Sequence, residues 1–166
     1  MSKIVVFTVI LFFALRVQAQ NKIIFEPKTK TDYTLFALDA IEHKNDQTIA
    51  LIYINKAIGM DPPNAFCYAI RGNIYLEQGQ YKLAFVDFDQ AIDLDPTDFF
   101  NFFGRAKSCY FLEKYDNALK DLNQALVLIS FDADIYWWRS KVKESLGDYV
   151  GCEADFKTYE YLNTLQ

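Results

Sequence analysis

Arg71, Arg105 and Arg139 follow one another at intervals of 34 residues. Asp87, Asp121 and Asp155 repeat at the same interval, each 16 residues after its arginine. A guanidinium and a carboxylate at a constant offset have the makings of a two-pronged ion pair. Three guanidiniums on one surface could instead line a phosphate or carboxylate site. The matched count favours the pair. Where the register lacks arginine, at Ala37, it also lacks aspartate, at Tyr53. The spacing therefore predicts an Arg–Asp bridge between two helices, with the arginine stem buried.

Other chemistry is sparse. The sole histidine, His43, has no cysteine or serine partner and falls at an exposed helix end. Cys67, Cys109 and Cys152 fit no metal-binding spacing, and an odd number leaves at least one thiol free. No glycine-rich phosphate loop is present. The acidic run "DFDQAIDLD" lacks the loop glycine of a calcium site and sits on a helix. The sequence therefore reads as a non-enzyme with no cofactor and no metal.

Residues 1–19 read as an address rather than as fold. Lys3 begins them, Ile4 to Leu15 are apolar, and Val17 and Ala19 make a small-residue cleavage site. The apolar run is shorter than the roughly 20 residues a spanning helix needs. The expectation is a cleaved signal peptide, no membrane span in the mature chain, and a periplasmic or secreted protein. Residues 20–30 form an N-terminal extension. The chain has 17 basic against 22 acidic side chains. That balance gives no basic footprint for nucleic acid.

The elements that carry the arginines emerge when the chain is written in rows. Rows of 34 starting at Thr31, Ala65, Phe99 and Ala133 fill residues 31–64, 65–98, 99–132 and 133–166 without gaps. Each row holds two apolar stretches at helical spacing, such as Tyr68–Tyr75 and Ala84–Phe88–Ala91. Gly79, or Asp46 and Asp148 as N-caps, separates them, and Pro62 and Pro96 stop the second helix. The second row has Tyr68, Gly72, Tyr75, Gly79, Tyr81, Ala84, Phe88, Ala91 and Pro96. In those residues it resembles a tetratricopeptide repeat. The third row keeps Phe102, Ala106, Tyr115, Ala118, Leu122 and Ala125. The fourth keeps Tyr136, Ser140, Gly147, Tyr149 and Phe156 but departs at Cys152 and Tyr159. The first, most divergent, keeps Ala50, Ala57 and Pro62.

The resemblance implies an all-α fold, a right-handed α-solenoid of antiparallel helix pairs whose neighbours stack to bury their faces. It makes Cys109 and Cys152 interior and Cys67 the more exposed thiol. It places positions 2, 5, 9 and 12 of each first helix on a concave groove. Of the four phenylalanines in "FFNFF", Phe99 and Phe102 then face the core, and Phe100 and Phe103 face the groove. The candidate groove residues are Phe66, Asn73, Leu76, Phe100, Phe103, Lys107, Tyr110, Trp137 and Lys141. Such a surface implies a protein or peptide partner, anchored by aromatics. Asn73, Lys107 and Lys141 partly echo the family's carboxylate clamp, but the full clamp is absent. Two alternatives stand beside this reading. The groove could be covered by the chain's own N-terminus. A second copy could dock on the C-terminal repeat, where Tyr159, Leu162 and Leu165 have nothing to pack against.

Overall fold

The computed structural model describes residues 27–42 and 46–165. The leader, most of the N-terminal extension and His43 lie outside them. Among the described residues there are eight α-helices and no strand. They are α1 Lys30–Glu42, α2 Gln47–Ile58, α3 Ala65–Glu77, α4 Tyr81–Leu94, α5 Phe99–Phe111, α6 Tyr115–Leu128, α7 Ala133–Ser145 and α8 Tyr149–Asn163. Each odd-numbered helix pairs with the even one after it, and the pairs stack in chain order. This is an all-α solenoid. No described helix is long and apolar enough to cross a membrane.

Local chemistry sets the helix ends. Asp46 and Asp148 accept hydrogen bonds from the backbone N–H groups of Ile49 and Gly151. Asn64, Asp98 and Asp132 cap α3, α5 and α7 in the same way. Each satisfies a donor that the first helical turn leaves unpaired. The tight turn inside a repeat needs a left-handed residue, supplied by Gly79 at φ 71° and Gly147 at φ 79°. The third repeat uses Glu113 at φ 59° in the same place. Pro96 follows an extended Asp95, as the residue before a proline prefers. Ile129 is equally extended before Ser130, so the turn does not require proline.

Small residues let the helices close. Ala50, Ala84 and Ala118 are fully buried at one register position, and Ala57, Ala91 and Ala125 at another. Cys152 and Tyr159 hold those positions in the fourth repeat, and both are only partly buried. The larger side chains fit there because nothing packs over that face among the described residues. Phe88 is the largest fully buried side chain, and burying it contributes about 2–3 kcal/mol. Its ring lies against Gly72 and Gly104, and a Cβ on Gly104 would collide with it.

Two expectations about the thiols fail: Cys152, expected in the interior, is only partly buried because no further repeat covers it among the described residues, and Cys67 is the reverse case. Cys67 is 1% exposed, not the accessible thiol. Its register position faces the preceding repeat, and its Sγ lies 3.4 Å from Thr34 Oγ1. Cys109 is fully buried, as expected, and burial pushes its thiol up to about 11.

Candidate functional site

The arginines come first, because they decide which surface is free to bind. In the second repeat Arg71 donates two hydrogen bonds to the Asp87 carboxylate, at 2.8 and 2.7 Å. Arg105 does the same to Asp121 and Arg139 to Asp155. Each pair ties the first helix of a repeat to its second. The remaining guanidinium nitrogen reaches back to the preceding repeat. Arg71 donates to Asn55, Arg105 to Asp89 and Arg139 to Asn123. Those acceptors also recur at intervals of 34, but asparagine and aspartate are ordinary surface residues. Only their register could have marked them. The Asp121 hydrogen bond raises the Arg105 guanidinium further above its ordinary value. At Asp155 burial pushes the carboxyl up, but hydrogen bonds from Arg139 and Lys143 outweigh it and hold it below the usual range. The arginines are thus structural, and none is free to hold an anion.

The concave side is different. The odd-numbered helices α3, α5 and α7 line a cleft of about 460 Å³. Phe100, Phe103, Gly104, Lys107 and Phe111 of α5 run along it. Asn73, Leu76 and Glu77 close one side, and Asp134 and Trp138 the other. Five of the nine expected groove residues meet here: Asn73, Leu76, Phe100, Phe103 and Lys107. Phe100 is 41% exposed, whereas Leu76 is nearly buried in the wall.

The other four lie elsewhere. Phe66 is 54% exposed but does not line the cleft. Tyr110 packs edge-on against Tyr115, Phe111 and Trp138, in the core side of the stack. Trp137 stands edge-on to Trp138, and the Lys141 ammonium lies over the Trp137 ring. Lys141 is also 3.2 Å from Glu144. Two aromatic lining residues were missed, Phe111 and Trp138. Phe111 stacks on Tyr81 of the preceding repeat, with centroids 4.5 Å apart. Trp138 shares its register position with Gly104, and a bare backbone there leaves room beside the indole.

Lys107 is the cleft's charged group. Its ammonium lies 5.4 Å from the Phe103 ring centroid and 5.5 Å from that of Trp138. Desolvation lowers its pKa, with the more distant Asp134 and Glu77 pulling the other way. No hydrogen-bond acceptor or ion-pair partner among the described residues is within reach of that ammonium. Aromatic faces attract a cation, but weakly.

Comparisons with known proteins agree with this architecture. The tetratricopeptide-repeat family profile matches residues 65–98. No curated protein matches the sequence. MamA residues 41-end from Desulfovibrio magneticus RS-1 superpose with a TM-score of 0.75 at 14% identity, covering 82% of this chain and 77% of that one. A thermophilic protein of the same repeat type from Thermus thermophilus gives 0.70 at 15% identity, covering 81% and 74%. The second repeat domain of Spaghetti (RPAP3), bound to the HSP90 peptide SRMEEVD, gives 0.58 at 26% identity, covering 60% of this chain and 92% of that one.

Proposed function

From the premise that this is a tetratricopeptide-repeat protein, we propose that it is an adaptor holding a segment of a partner protein in its concave cleft. The observation that carries this reading is the cleft itself: aromatic side chains from α5 and α7, closed by α3, around a lysine that makes no ion pair among the described residues. A concavity lined by apolar and aromatic side chains with one convergent charged group is the usual form of a binding site. A structural neighbour holding a peptide supports the same mode of use. With residues 1–19 read as an export signal, the partner belongs to the cell envelope or beyond, and assembly of an envelope complex fits an adaptor without chemistry of its own.

The test is comparative capture from an envelope extract. The protein should retain a partner that a Phe100→Ala/Phe103→Ala variant of equal thermal stability loses, with affinity down at least tenfold. Losses of that size are usual for central aromatic anchors. Equal retention by both would move the function off the cleft.

A second reading rests on the last helix. Phe156 is 41% exposed and lies against Tyr159, and both Cys152 and Tyr159 beside it are only partly buried. This apolar face of the fourth repeat would suit a second copy of the chain.

A further inference from the structure

Resting on the cleft reading above, we infer what the bound segment looks like: one acidic side chain flanked on both sides by bulky apolar ones. A run of acidic residues and a free chain terminus are both disfavoured.

The argument starts with length. From Phe100 to Phe111, α5 advances about 16 Å along the cleft. That span takes about five residues of extended chain. Lys107 lies between the ends, with Phe100 and Phe103 on one side and Phe111 on the other. A carboxylate that meets Lys107 is therefore followed and preceded by apolar wall. A chain terminus would stop there and leave half the wall uncovered. A side chain branching from a segment that continues covers both halves.

Charge sets the number. Lys107 is the only cation among the described residues that line the cleft, and Glu77 and Asp134 line it too. One incoming carboxylate completes the partly desolvated ammonium, which has aromatic faces against it and neither Glu77 nor Asp134 at ion-pair distance. A second would find no partner. Lys141, the nearest candidate by register, lies over Trp137 and is paired with Glu144. Further acids would meet Glu77, Asp134 and a chain that carries net charge −5. The apolar positions matter equally, since a lone exposed ion pair contributes little. Flanking side chains seated on Phe100, Phe103 and Phe111 exclude water from the pair.

End-blocked heptapeptides test this by calorimetry or by the combined fluorescence of Trp137 and Trp138. The probes are acetyl-SFSESFS-amide, its glutamine analogue, its analogue with both phenylalanines replaced by alanine, and acetyl-SFEEEFS-amide. The glutamate peptide should bind at least tenfold tighter than the glutamine one. Lys107→Gln should abolish that preference and Lys107→Arg should keep it. The alanine and triple-glutamate peptides should bind more weakly than the first. Equal binding of glutamate and glutamine peptides, with both weakened by Phe103→Ala, would overturn the carboxylate inference and leave the cleft reading standing. Tightest binding by the triple-glutamate peptide would overturn the single-charge argument. Failure of every probe at millimolar concentration would overturn the inference, while partner capture judges the cleft reading separately. Binding untouched by Phe103→Ala would overturn both.

Discussion

Glu113 holds a left-handed backbone at the position where the second and fourth repeats have Gly79 and Gly147. A side chain in that region costs on the order of 1 kcal/mol, because its Cβ crowds the backbone. Glu113 is exposed, and its side chain forms no hydrogen bond that would offset the strain. Glu113→Gly should therefore stabilise the protein by about 1 kcal/mol, read as a higher urea midpoint with an unchanged slope. An unchanged or lower midpoint would show that the glutamate stabilises the turn. The turn itself was legible in the sequence wherever glycine marked it. In the third repeat only the row register revealed it, because glutamate by type belongs inside a helix. Cys67 shows the opposite limit. Its burial depends on the preceding repeat, where Thr34 lies 33 residues away, and nothing local announces that contact.

At the scale of helices, the arginines act as two-way ties. Arg105 joins α5 to α6 through Asp121 and to α4 through Asp89. Asp121 is 7% exposed, so losing its partner leaves a buried charge uncompensated. Arg105→Met should cost about 3 kcal/mol by that penalty. The double change Arg105→Met/Asp121→Leu should recover most of the loss in thermal or urea denaturation, since no charge is then stranded. A double variant no more stable than the single one would mean that the tie to Asp89 in the preceding repeat dominates. The pairing within a repeat could be read from co-occurrence of arginine and aspartate. The tie between repeats could not, because its acceptors are asparagine twice and aspartate once, and none of those residue types stands out on a polar helix face.

For the molecule as a whole, the row register and the family resemblance together foresaw an all-α stack and sorted Phe100 and Phe103 from Phe102. They were less able to outline the cleft. Register positions give the face of a helix, but the cleft depends on how far each neighbouring side chain extends. Gly104 adds nothing to the wall where Trp138 adds an indole, so the opening lies toward α5 and α7 and leaves Phe66 outside. The end of the stack poses a separate question. If the exposed face of α8 meets a second copy, light scattering should give a mass that rises from one chain to two with concentration. Phe156→Glu/Tyr159→Glu should hold it at one. A concentration-independent monomer would leave that face to solvent or to another partner.

Phe88 fits under Gly104 because glycine leaves the space open. At the neighbouring junctions the same two register positions pair differently: Ile54 shares a core with Ile70, and Leu122 with Trp138. Phenylalanine meets glycine at one junction, isoleucine meets isoleucine at another, and leucine meets tryptophan at the third. The rows therefore cannot be shuffled. Setting the second row before the fourth would press Phe88 against Trp138, and setting the first before the third would leave a void between Ile54 and Gly104. Overpacking and voids each cost several kcal/mol. Although the rows look like copies, their sequence along the chain is collated by volume, and a recombined gene would have to respect that order to yield a folded product.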